Sequence, residues 1–280
     1  MEKYDLVPEQ LVLEGIITRD NLFEPEDMGL EVIFDTHDTG YVSRMQNGEM
    51  TTKEMRKIGF PYSKRLFDRE VKIMHGSVQA AVFALDNGIA FNMAGGTHHA
   101  YADKGEGFCI FNDIAVTANY LLKNGLAKKI LVVDLDVHQG NGTAALFAEN
   151  ARVFTFSMHG RNNYPAHKEA SDLDIGLEDG TGDDDYLDIL RKTLKILLDR
   201  ERPDFMIYQS GVDILATDKL GKLKLTLEGC KERDRIVLES AHKLEIPLLA
   251  VMGGGYSSDI KQIIEAHAGL YRLAAAYYEA

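Results

Sequence analysis

The sequence holds only two cysteines, Cys109 and Cys230, among 280 residues. That excludes a disulfide framework and indicates a reducing compartment. Positive charge is also short: 31 Lys and Arg stand against 44 Asp and Glu, a net charge of −13. Such a chain is repelled by polyanions, so nucleic acid is not an expected partner, while a cationic substrate would be attracted. No stretch reaches the roughly 18 consecutive apolar residues of a membrane span. The opening MEKYDLVPEQLVLEG lacks the apolar core of a signal peptide. A soluble, cytoplasmic protein with no membrane partner is expected. The six prolines are scattered, with no repeat, low-complexity tract or linker, so one domain over residues 1–280 is expected.

What is present is an apolar fraction of 45%, too high and too evenly spread for a disordered chain. It falls into short runs, Ile89–Met93, Ile130–Val133, Val153–Phe156, Phe205–Gln209 and Leu248–Met252. They are not alternating, so they suit strands buried on both faces. Amphipathic stretches separate them: Glu70–Asn87, Ile114–Lys123, Asp183–Asp199, Leu227–Lys243 and Asp259–Ala275. Strands alternating with helices predict an α/β fold with a parallel sheet covered by helices. The unusual residues follow the strands directly: Gly95-Gly96-Thr97-His98-His99, Asp134-Leu135-Asp136-Val137-His138, Ser157-Met158-His159, Ser210-Gly211-Val212-Asp213 and Gly253-Gly254-Gly255-Tyr256. Ligands of open parallel sheets bind beyond the carboxyl ends of the strands, so these five loops should converge.

Asp134, Asp136 and His138 stand two residues apart, a spacing that puts side chains on one face while the chain stays extended. Asp136 and His138 could then share a metal ion, with Asp213 as third ligand. Two carboxylates and an imidazole leave positions open, as in a catalytic zinc site; Fe(II), Co(II) or Mn(II) would also suit the donors. A lone D-x-H is more often a loop cap beside a packed histidine; the several contributing strand ends favour the metal. His98 and His99, adjacent and so poorly placed to chelate, suit two acid/base positions, with Asp134 and Asn141 behind them. Tyr256, after three glycines, could donate to an oxyanion. Gly140–Ala145 reads G-x-G-x-x-A, but two Asp and a His intervene after the strand, so the dinucleotide motif is set aside. His75, His242, His267 and Cys230 fall in helical patterns and read as structural.

Together, GGTHHAYADKGEGFCIFND, DLDVHQGNGTAALF, SGVD with Asp218 and Gly221, and GGGY resemble the zinc-dependent histone deacetylase family, above all its class IV and bacterial members. The resemblance runs from about Lys3 to Asp259. It implies the arginase/deacetylase fold, a three-layer α/β/α sandwich around a mainly parallel sheet, and hydrolysis of an Nε-acyl amide. By resemblance, Asp136, His138 and Asp213 would bind zinc and His99 would be the principal base and acid. His98, backed by Asp134, would be its electrostatic partner. Tyr256 would hold the oxyanion; Gly107, Phe108 and Tyr164 would line the acyl-lysine tunnel. Asp134, Asp136, His138, Ser157 and Met158 would surround a structural potassium ion, with Phe147, Asn150 and Val153 as a second such site. Asn141 stands where some members carry Asp. Met1 opens a segment that members usually precede with a first strand and a rim loop. The expected substrate is acetyl- or longer acyl-lysine in proteins; small acylated amines such as acetylpolyamines, and a weakly catalytic acyl-lysine-binding module, are the alternatives. Oligomeric state is not legible.

Overall fold

The computed structural model describes residues 2–278; the expected domain limits, Met1 and Ala280, lie outside the described residues. Its elements are α1 (Lys3–Leu13), α2 (Glu31–Phe34), α3 (Thr39–Asn47), α4 (Thr52–Ile58), α5 (Lys64–Asn87), β1 (Ile89–Asn92), α6 (Asp113–Lys123), β2 (Ile130–Asp134), α7 (Asn141–Phe147), β3 (Val153–Gly160), β4 (Leu173–Leu177), α8 (Asp183–Glu201), β5 (Phe205–Gln209), α9 (Leu227–Lys243), β6 (Leu248–Val251) and α10 (Ile260–Tyr278). The six strands pair in the order β1-β6-β5-β2-β3-β4, and every pairing is parallel.

The continuous apolar runs have the expected cause, since alternate side chains enter opposite layers. Leu131, Val133, Met206, Tyr208, Leu248 and Ala250 pack with Leu190, Leu194, Val237 and Leu270 of α8, α9 and α10. Ile130, Val132, Phe205, Ile207, Leu249 and Val251 pack with Ala81, Ile114 and Leu121 of α5 and α6. The result is the three-layer α/β/α arrangement. Each such buried aliphatic side chain contributes about 1.5–3 kcal/mol against exposure. The order also locates the site. From β2 the chain proceeds through β3 and β4 to one side, whereas β5, β6 and β1 lie on the other. The switch point, between the carboxyl ends of β2 and β5, is where an open parallel sheet leaves a crevice.

Caps set several helix limits. Ser63 accepts from Leu66 N at 3.1 Å and starts α5 at Lys64, one and a half turns before the expected Glu70. Asn112 caps α6 and Thr226 caps α9, accepting from Ala115 N and Gly229 N. The acid cluster Asp183–Asp185 opens α8, as the helix dipole favours. Both cysteines are buried and free. Among the described residues no helix is long and apolar enough to cross a membrane.

His37 ties the segment after β1 to this frame. Its Nδ1 donates to Tyr101 O at 2.9 Å and its Nε2 accepts from Asn112 N at 2.9 Å, so the ring is neutral. Burial pulls it down to about 4, against the carbonyls of Tyr101 and Ala102. A folded pKa below the unfolded 6.5 means that the unfolded chain binds more protons between those values. The contribution is complete above about pH 6.5 and is lost as pH falls toward 4, at about 1.4 kcal/mol per unit, about 3 kcal/mol in all. Glu70, pushed up to about 7 by burial, acts in the opposite sense above pH 4.5, so the test compares two proteins that both keep it. In urea unfolding from pH 7 to 4, His37→Gln should lose stability less steeply than the wild type. Parallel slopes would contradict the assignment.

Candidate active site

The loops after β1, β2, β5 and β6 do converge. Asp136, His138 and Asp213 are buried, and each offers one ligand atom within 4.8 Å of the others. His138 Nδ1 lies 3.0 Å from Asp136 Oδ1 and 3.1 Å from Asp213 Oδ2. Two buried carboxylates meeting at one imidazole form a group that could hold a cation. The donor set, one nitrogen and two oxygens, fits a divalent ion of borderline softness.

The path to this trio differs from the expected one. β2 ends at Asp134, and residues 136–138 bend. The Asp136 carboxylate accepts from His138 N at 3.0 Å, closing an Asx-type turn. An aspartate two residues before an amide competes with the extended chain, so the turn, not strand alternation, joins Asp136 to His138. Asp213 Oδ1 accepts from Val137 N at 2.9 Å, and Asp136 Oδ2 accepts from Gly254 N at 2.9 Å, locking three loops together. A β-carbon on Gly254 would collide with the carboxylates of Asp213 and Asp136, so only glycine lets this backbone approach.

His98 and His99 lie side by side, Nε2 to Nε2 at 3.1 Å. His98 Nδ1 is 2.7 Å from Asp134 Oδ2. Burial opposes its charge, but Asp134 and Asp136 prevail and push it up to about 9. Burial, then the charges of His98 and His138, hold His99 well below its ordinary value. The two pKa values are therefore driven apart, the pattern of divided acid and base roles. His99 Nδ1 donates to Asn141 Oδ1 at 2.6 Å, leaving Nε2 as the basic nitrogen. Asn141 in turn donates to Glu106 Oε1 at 2.7 Å and to Tyr101 Oη at 2.9 Å. A carboxylate thus stands behind His99 after all, one amide removed. Glu106 also accepts from the Tyr164 hydroxyl at 2.8 Å.

These groups lie at the bottom of a cavity of about 710 Å³ whose lining includes Gly107, Phe108, Tyr164 and Tyr256. The ring of Tyr164 meets His99 edge-on at 4.9 Å, and Phe108 and Tyr256 lie 6.3 Å apart. Phe108 holds φ 67°, an uncommon left-handed conformation for a bulky residue that marks a constrained position. Tyr256 is fixed through its backbone, its N donating to Asp218 Oδ2 at 2.6 Å. Burial and the charges of Asp213 and Asp136 raise its pKa, so the hydroxyl stays protonated and can donate.

One expected loop does not join. Ser157, Met158 and His159 stay inside β3, because β4 pairs with it as far as Gly160. Ser157 Oγ meets His159 Nδ1 at 2.9 Å. What β3 sends to the site is Tyr164, beyond its end. Phe147, Asn150 and Val153 lie where α7 leads into the start of β3, at the opposite sheet edge. The glycine motif proves structural: Gly142, in α7, abuts Ala100 O, and a β-carbon there would strike it.

Four residues escaped the sequence reading. Glu106 and Tyr101 are the Asn141 partners. Lys3 Nζ donates to Gly253 O at 2.8 Å, anchoring α1 to the glycine turn; burial pulls it down to about 8, opposed by Asp213 and Asp136. Arg233, fully buried in α9, donates to Gly211 O at 2.5 Å, Ser210 O at 3.2 Å and Leu135 O at 3.4 Å, and pairs with Asp234 at 2.7 Å. It clamps the two loops that carry Asp136 and Asp213. An Arg-Asp dyad inside an otherwise apolar helix face was the only signal for it.

Comparison with known proteins places this arrangement. The family described as "Histone deacetylase domain" matches residues 1–270. An uncharacterized protein of Picosynechococcus is 41% identical over 99% of this chain and 93% of its own. Histone deacetylase 2 of Arabidopsis thaliana is 29% identical over 94% of this chain and 70% of its own. Among solved structures, an HDAC homolog complexed with SAHA superposes with a TM-score of 0.83 at 25% identity, covering 97% of this chain and 77% of that one.

Proposed function

The chain belongs to the histone deacetylase family, and from that premise we propose that it is a metal-dependent amidohydrolase removing acetyl or longer acyl groups from Nε-acyl-lysine. The observation that carries this reading is the joining, in one cavity, of a buried Asp-His-Asp trio, a buried histidine pair with opposed pKa shifts and a protonated tyrosine.

Asp136, His138 and Asp213 would hold Zn2+, with Fe2+ also suited to the donors. When bound, such an ion supplies Lewis acidity to a carbonyl oxygen and to a water. Gly107, Phe108 and Tyr164 would enclose the lysine methylenes and exclude solvent from the amide. The Tyr256 hydroxyl would donate to the carbonyl oxygen as negative charge develops there. His99, neutral and open at Nε2, would take a proton from the attacking water and return it to the leaving amine nitrogen. His98, held cationic by Asp134, would favour the charge arrangement of the transition state. Asn141, steadied by Glu106, would fix the His99 tautomer. Amide and water thus give amine and carboxylic acid, and the acid's remaining proton passes to the amine, leaving ammonium and carboxylate. Asp134, at the end of β2, pairs with Ser157 inside β3, and Met158 follows it; these three are proposed to hold a structural potassium ion. The chain is read as one deacetylase domain acting in the cytoplasm.

The test is product analysis with acetyl- and longer acyl-lysine peptides and metal-loaded protein. Deacylated lysine peptide and carboxylate should appear in equal amounts. Tight binding of these peptides without cleavage would leave only a recognition module.

A further inference from the structure

The open side of the cavity is framed by Lys57, Phe60, Phe108, Tyr164, Leu220 and Lys222. Phe108, Tyr164 and Leu220 are each more than 40% exposed, so this is where a substrate enters. Two of its exposed charges, Lys57 and Lys222, are positive, against one exposed acid, Glu2. Lys57, at the end of α4, has no ion-pair or hydrogen-bond partner for its ammonium among the described residues. Lys222 donates to Asn162 O at 3.0 Å and has only Asp179, 3.9 Å away, as counter-ion.

Apart from Asp179, the nearby acids make no ion pair with these lysines among the described residues. Glu106 is committed to Asn141 and Tyr164. Asp218 is committed to the backbone N–H groups of Leu220, Gly221 and Tyr256. Glu70 is buried against Arg69 at 2.6 Å. Glu2 is the one exposed acid in the lining, next to Lys3. α4 and the start of α5 add Lys53, Arg56 and Arg65, exposed and likewise without ion pairs among the described residues. The C-terminal dipole of α4, about half a charge, offsets only part of Arg56 and Lys57. The chain as a whole carries −13, but screening over about 8 Å at physiological salt lets these local cations dominate at the rim.

We infer that the entrance selects acyl-lysine in acidic surroundings, that is, peptides with Asp or Glu beside the acyl-lysine. Peptides with Lys or Arg flanks, and acylated polyamines, are disfavoured by like charge. This inference rests on the deacylase reading above. Rim charges steer and discriminate more than they bind, so the effect belongs in kcat/KM and weakens with salt.

The experiment compares three acetyl-lysine peptides with Glu, Ser or Lys flanks, and acetylspermidine, on the metal-loaded protein. Acidic over basic flanks should give a ratio in kcat/KM of about tenfold at low salt, shrinking in 0.5 M NaCl as a screening length of about 4 Å demands. Lys57→Glu and Lys222→Glu should each compress the ratio, and together invert it. Lys128→Glu, an equal charge change at the opposite sheet edge just before β2, should leave it alone. Equal rates, a preference for basic flanks, or an equal effect of Lys128→Glu would overturn the inference. If no peptide is cleaved, the deacylase reading falls instead, and fluorescence anisotropy of the same peptides decides about the rim. Tighter binding of the acidic peptide would uphold the cationic entrance; equal binding would reject it.

Discussion

Tyr256→Phe should lower kcat by about 10²–10³-fold, the usual loss for one oxyanion donor, while KM changes little. The phenyl ring keeps the packing against Phe108, and the backbone anchor from Tyr256 N to Asp218 remains, so fold and metal content should be those of the wild type. The protonation state of the hydroxyl decides this. Burial and the carboxylates of Asp213 and Asp136 raise its pKa, so it enters the reaction as a donor. A donor aimed at developing charge stabilises the transition state more than the ground state, and its removal therefore appears in kcat. A loss confined to KM would mean that Tyr256 serves only to bind.

Asp213→Asn should abolish detectable turnover and weaken metal binding by more than about 100-fold, since even outer-sphere partners of a metal site are worth 10–100-fold. The amide keeps the size of the carboxylate and an oxygen for Val137 N, so the loop after β5 is retained. Burial, then the neighbouring Asp136, push the Asp213 carboxyl up to about 6, so the metal-free variant should be no less stable than the metal-free wild type. The two proteins should part when metal is added. A ligand at 100 times its Kd stabilises the folded state by about 2.7 kcal/mol. The wild-type melting temperature should rise accordingly, and that of the variant should not. Equal thermal shifts would place the ion elsewhere.

Much of this was legible because parallel strands buried on both faces read as unbroken apolar runs, and the chemistry follows each run at once. β2, β5 and β6 and their following loops fall where the sequence puts them. β4, Leu-Asp-Ile-Gly-Leu, did not show itself: it is a short edge strand with only Leu177 fully buried, so it lacks the apolar run. The four helices before α5 were also missed. α1 carries Pro8 and an unmarked amino-terminal cap, and α2 spans one turn. At the site, residue types were readable but partners were not. Asn141 advertises a neutral support for His99, and only the fold shows Glu106 behind it. Lys3 and Gly253, or Arg233 and Leu135, meet across 250 and 98 positions of sequence, beyond the reach of any local pattern. Asp136 and His138 meet, but not by strand alternation: the Asp136 side chain bonds the backbone two residues on, and the chain turns where spacing predicts it to stay extended.

The most direct test of the whole account is a metal titration of chelator-stripped protein, followed by acyl-lysine hydrolysis. The rate should climb in proportion to added Zn2+ or Fe2+ and level off at about one ion per chain, as a single three-residue protein site requires. Hydrolysis that persists in the stripped protein, or that is absent at every metal ratio, would contradict it.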